Sequence, residues 1–190
     1  RMQNFDYTDP GTYNYFTQMA DDVHFYGSKL LVNTDIKYPD GYSFDGKSFG
    51  PPGMAGKPVK MLPKEMMPEV IETFLQKLQL FKDFGYDGVA MRVEMLLYPN
   101  LRTDEYGGDL TNRMRFALEI IENVHQKCGP DFILGYRLSA DERVTGGLTI
   151  EDTKAIVPYL DQAGVDYFSI SIAVNATDDQ MIPSMYYRHG

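Results

Sequence analysis

One design recurs along the chain and limits its fold more than any single residue does: an amphipathic helix pattern, a short turn with Gly or Asp, then a compact apolar run. In "PEVIETFLQKLQLFKDFGYDGVAMR", Val70, Ile71, Phe74, Leu75, Leu78 and Phe81 fall at helical spacing, Gly85-Tyr86-Asp87 makes the turn, and Gly88 to Arg92 reads as a strand. In "NRMRFALEIIENVHQKCGPDFILGYRL", Phe116, Leu118, Ile120, Ile121 and Val124 precede a turn at 128–131 and a strand from Phe132 to Leu138. "TIEDTKAIVPYLDQAGVDYFSISI" repeats the unit and ends in a strand from Tyr167 to Ile172. A weaker copy opens the chain, with Tyr13, Phe16, Met19, Ala20 and Val23 on one helical face, Gly27 ending it, and "KLLVNT" as the strand.

Helix-then-strand units in series imply parallel strands joined by crossover helices, and runs apolar on both faces fit strands covered by helices. The fold class is therefore α/β. An open doubly wound sheet and a (β/α)8 barrel both satisfy this pattern, but no G-x-G-x-x-G follows any strand, so a dinucleotide crevice has no support. In a barrel, functional groups sit at the C-terminal strand ends. Those ends read Asn33, Arg92, Arg137 with Ser139, and Ser171.

Composition excludes several alternatives. No apolar run approaches the roughly 18 residues of a membrane span. The net charge of −9 argues against nonspecific binding to nucleic acid or anionic lipid. Cys128 is the single cysteine, which rules out a disulfide framework, a cysteine zinc site or an iron–sulfur cluster held by this segment alone. A cytoplasmic setting is expected. The opening "RMQNFDYTDP" shows no signal peptide and reads as a start in mid-protein.

Between the units, Asp109 or Thr111 can cap the helix after "LRTDEYGGDLTNR", and Thr149 with Asp152 forms a capping-box pattern. Residues 37–67 are rich in Gly, Pro and Lys without periodicity and read as one long irregular loop.

"DGVAMR", "RTDEYGGDLTNRMRFALEIIENV", "GYRLSADE", "GGLTIED" and "AGVDYFSIS", in this order, resemble the Old Yellow Enzyme and 2,4-dienoyl-CoA reductase family of flavin oxidoreductases. The resemblance is dense over residues 68–190 and sparse over 10–36. It implies an FMN-dependent reductase on a (β/α)8 TIM barrel, in which NAD(P)H reduces FMN and the flavin reduces an activated C=C bond of an enoate, enone or enoyl thioester. By the family's strand order, residues 1–190 form a partial barrel domain holding about four units, the third to sixth strands. It lacks the last two strands, whose loops usually bind the FMN phosphate. A 4Fe-4S cluster and an FAD domain, found in the dienoyl-CoA reductase branch, would belong to regions beyond this chain.

Carried over by residue, Arg137 falls on the family's flavin-contacting arginine, where a guanidinium can stabilise the charge of reduced flavin. Asn33 falls where the family usually has a Gln on the flavin ring. The RTDEYGG segment is expected to be framework, with Arg and acids tying loop backbone and helix start together.

The departures lie after the fourth strand. The family's paired His-x-x-His or His-x-x-Asn positions are here Arg92 and Met95, and about eight residues around its proton-donating Tyr are missing. Met95 offers no hydrogen bond to polarise an enone. Arg92 can clamp a carboxylate or carbonyl oxygen, or pair with Glu94 or Glu105. Tyr98 is the nearest candidate proton donor. Either the active site is altered or a loop is omitted. The tail "MIPSMYYRHG" is similar to anaerobe enzymes acting on enoates, enoyl thioesters or unsaturated steroid acids, with His189 read as a loop anchor.

Two readings follow. One is an FMN-dependent ene-reductase acting on a small molecule, with Asn33 and Arg137 at the flavin and Arg92 and Tyr98 toward substrate. The other is a noncatalytic barrel remnant or structural subunit whose open strand edges are completed by missing strands or a second copy.

Overall fold

Asp9 starts the first helix, accepting a hydrogen bond from Thr12 N at 2.9 Å, with Pro10 preset for the first turn. The computed structural model describes residues 6–44, 46, 59–93, 102–141, 143 and 148–172. Helix α1 (Pro10–Phe25) leads to strand β1 (Leu31–Asp35). Two short strands, β2 (Tyr42–Ser43) and β3 (Lys60–Met61), precede a 3-10 turn at Lys64–Met66. Then come α2 (Met67–Asp83), β4 (Gly88–Arg92), α3 (Leu110–Cys128), β5 (Ile133–Ser139), α4 (Ile150–Gln162) and β6 (Tyr167–Ser171).

The four main strands form one parallel sheet in the order β1-β4-β5-β6, as the helix-then-strand pattern requires. Val32, Val89, Met91, Leu134, Tyr136 and Leu138 point into the helix layer. There they join Leu78 and Phe81 of α2, Phe116 and Ile120 of α3, and Ile156 and Leu160 of α4 in one buried core. Phe16 of α1 stacks on Phe84 with ring centres 5.3 Å apart. Burying an aromatic ring of this size contributes about 2–3 kcal/mol relative to leaving it exposed.

Two aspartates repeat one device at the N-terminal ends of the strands. Asp87 accepts from Leu30 N at 2.8 Å, and Asp166 accepts from Leu134 N at 2.7 Å. Each fixes the start of its own strand against the neighbour. Asp87 also lies 2.7 Å from both His24 Nε2 and Lys29 Nζ, so it ties α1 and β1 to β4.

Both expected caps form. Asp109 accepts from Asn112 N at 2.9 Å, and Thr149 and Asp152 make the reciprocal capping box. Strand bounds shift slightly. β1 starts two residues later than "KLLVNT" and runs through Asp35, β5 runs from Ile133 to Ser139, and β6 ends at Ser171. Within 37–67, the β2–β3 pair and the 3-10 turn replace part of the expected irregular loop, because two-residue strands carry no periodicity.

The RTDEYGG segment is framework, and its Arg reaches further than expected. Arg102 is 3% exposed and donates from one terminal nitrogen to the carbonyls of Phe44 (2.8 Å) and Leu62 (2.9 Å). Its other nitrogens grip Asp104 at 3.0 and 2.5 Å. The guanidinium also lies over the Phe44 ring, 5.1 Å from its centre. Arg102 thus staples the β2–β3 excursion to the loop before α3. A Cβ at Gly107 would run into the Arg102 carbonyl, and Gly108 has φ +86°, so the Gly pair meets a backbone requirement. Tyr106 donates to Glu119 at 3.0 Å and anchors the loop on α3.

Among the described residues, no helix is long and apolar enough to cross a membrane.

Candidate active site

Side chains alternate across a strand, so the residues between the core positions project from the opposite face of the sheet, which among the described residues carries no helix. Register arranges them in rows. Asn33 pairs with Ala90, Ala90 with Gly135, and Gly135 with Tyr167. One step toward the C-terminal ends, Asp35 pairs with Arg92 and Arg137 with Ser169. Met91 pairs with Tyr136, so Arg92 and Arg137 are the next residues along adjacent strands. Asn33, Asp35, Arg92, Arg137 and Ser169 are all exposed on this face.

Three of the four residues singled out from sequence therefore share one face within two rows: Asn33, Arg92 and Arg137. Tyr98, the fourth, lies outside the described residues, as do Met95, Glu94 and the tail with His189. The alternative partner for Arg92, Glu105, is held by Lys64 at 3.1 Å instead. Arg92 is thus not engaged by that carboxylate.

The local supports explain why these groups stand where they do. Tyr136, fully buried on the helix side, donates to the Val93 carbonyl at 3.2 Å and fixes the end of β4 beside Arg92. Burial holds the Tyr136 phenol well above its ordinary pKa, so it stays a donor. Thr34 accepts from Lys77 of α2, which pins the end of β1 between Asn33 and Asp35. Burial, then the charge of Lys37, lowers the pKa of Lys77.

The polar groups of this face suit a flavin ring. Ala90 keeps the floor of the Asn33 row low, and the Tyr167 ring lies over Gly135 beside it. Asn33 offers an amide, and Arg137 offers a charged donor fork at the strand end. Those are the groups an electron-accepting ring with carbonyl and nitrogen edges requires. Sequence reasoning missed Asp35 and Ser169. Period-two alternation from Leu31 through Asn33 leads to Asp35, one residue beyond the expected strand "KLLVNT".

A parallel sheet with helices on one face and polar strand ends on the other is the architecture of a barrel enzyme segment. The NADH:flavin oxidoreductase / NADH oxidase family model matches residues 8–182, and the chain belongs to that family. FMN and a nicotinamide reductant are the family's cofactors.

The N,N-dimethylglycine/sarcosine dehydrogenase of Chromohalobacter salexigens is 32% identical over 192 residues, covering 91% of this chain and 28% of that protein. The cinnamate reductase of Clostridium sporogenes is 31% identical over 159 residues, covering 71% of this chain and 24% of that protein. The chain thus spans roughly a quarter of the length of these relatives. Morphinone reductase in complex with tetrahydroNAD matches with a TM-score of 0.65 at 21% identity, over 85% of this chain and 54% of that one. That likeness is one of fold, and the four-stranded sheet is part of a (β/α)8 barrel.

Proposed function

We propose that this chain forms part of the flavin-facing wall of an FMN-dependent, NAD(P)H-linked oxidoreductase that reduces an activated C=C bond of an enoate, enone or enoyl thioester. The observation that carries the reading is the convergence of Asn33, Arg92 and Arg137 within two adjacent rows on one face of the sheet. Family membership supports the cofactor, and the cinnamate reductase relative supports an unsaturated acid as substrate.

Bound FMN supplies two-electron hydride chemistry. Asn33 can donate to and accept from the ring through its amide, orienting it over Ala90 and against the Tyr167 ring that covers Gly135. Arg137 places a permanent positive charge where negative charge accumulates on reduction. Arg92 takes the carboxylate or carbonyl oxygen of the substrate, withdrawing electron density from the adjoining double bond. Tyr98 holds the proton donor role in this reading. β1 and β6 form the sheet edges, and Ile170 of β6 is 57% exposed, which supports completion by further strands.

Arg137→Ala in the complete protein tests the assignment. The expected result is a lower flavin content or a lower flavin reduction potential. Unchanged content and potential would remove Arg137 from the site.

A further inference from the structure

Asp35 stands in the row of Arg92 and Arg137, yet the oxidoreductase reading gives it no role. Its Cα is the register partner of Arg92 on the adjacent strand, about 4.8 Å away across the sheet. Both residues are exposed on the helix-free face.

The described ion pairs seat Asp87, Asp104, Asp141, Glu72, Glu105 and Glu151 on cations, and Asp35 with Arg92 is not among them. Lys77 senses the charge of Asp35 but is held from the helix side by Thr34. A carboxylate and a guanidinium therefore occupy neighbouring positions on one exposed face, with no close ion pair between them among the described residues.

We propose that Asp35 is a specificity residue, and that the site takes dipolar substrates in which an ammonium group lies a few ångströms from a carboxylate or carbonyl. Arg92 binds the anionic end and Asp35 the cationic end. This rests on the flavin oxidoreductase reading and narrows its substrate class. An anionic substrate without the ammonium meets Asp35 as a like charge, so among enoates the same residue favours those that carry an ammonium group. No proton or electron moves through Asp35; its work is recognition.

The test uses two isosteric probes, the trimethylammonio derivative of crotonate and its tert-butyl analogue, in which carbon replaces the charged nitrogen. Binding to the complete, oxidised protein is measured by titration calorimetry, and flavin absorbance is recorded on the same sample. The wild type is expected to bind the cationic probe at least about tenfold more tightly, a difference of ~1.4 kcal/mol. Asp35→Asn should bring the two affinities within about threefold by weakening the cationic probe and strengthening its tert-butyl analogue, and Arg92→Gln should weaken both.

Equal affinities in the wild type, absence of binding to flavin-loaded protein, or a preference that survives Asp35→Asn would overturn the proposal. A flavin-free sample would instead sink the oxidoreductase reading on which it rests.

Discussion

The phenol of Tyr136 on β5 donates to the carbonyl of Val93, 3.2 Å away at the end of β4, in the buried layer directly beneath Arg92. One bond thus links the two strands that carry Arg137 and Arg92. Tyr136→Phe keeps the ring and strands the carbonyl, which should cost about 1–2 kcal/mol. Urea unfolding should show a lower midpoint with an unchanged slope, while Tyr159→Phe on the exposed face of α4 should leave both unchanged. A Tyr136→Phe protein as stable as wild type would remove the link.

Asp87 predicts the acid limit of the fold. Burial alone would raise its pKa, but hydrogen bonds from Lys29, His24 and Leu30 N outweigh burial and hold it at about 2, below the ordinary 3.8. A depressed carboxylate contributes stability that is fully present above its unfolded pKa. That stability is lost as pH falls from about 4 through about 2. Asp87→Asn should therefore cost about 2 kcal/mol at neutral pH. The two proteins should converge in stability near pH 2. A constant difference down to that pH would show that Asp87 acts through shape rather than charge.

Arg102 tests whether the RTDEYGG loop is a staple. Lysine has one ammonium and cannot serve two carbonyls and a carboxylate in the same fork. Arg102→Lys should lower stability by about 2 kcal/mol or more, since it leaves buried acceptors unpaired. Thermal unfolding gives the answer, with Lys64→Gln as the exposed control for the pair with Glu105.

Gly88 and Gly135 face the same side of the sheet but should respond differently to alanine. A methyl at Gly88 would strike the backbone of Ile133, whereas one at Gly135 would first meet the Tyr167 ring, which can swing toward solvent. Gly88→Ala should unfold the protein or cost about 3 kcal/mol, and Gly135→Ala should cost about 1 kcal/mol or less. If the order reverses in urea unfolding, Tyr167 is a fixed wall of the site.

The helix-then-strand units were legible because burial on one helical face leaves a periodic trace. β4 falls on Gly88–Arg92 as read, and Asp109 and Thr149 cap the helices they precede. What stayed hidden depends on distant partners. Arg102 is held by carbonyls 58 and 40 residues away, and a backbone acceptor has no sequence signature. Asp35 was missed because a charged residue looks like the end of a strand, although β1 extends through it in register with Arg92. Asn33, Arg92 and Arg137 stood out because polar groups in or at the ends of apolar strands break the pattern, and the register sets them on one face.

The most direct test of the central claim is a visible absorption spectrum of the complete protein as purified, with intact mass determined on the same sample. The expected result is an oxidised flavin spectrum that bleaches on adding NADH or NADPH, at a mass above the 21.7 kDa of this chain. A colourless complete protein that also fails to take up added FMN would contradict the claim, and the strand-end arginines would need another purpose.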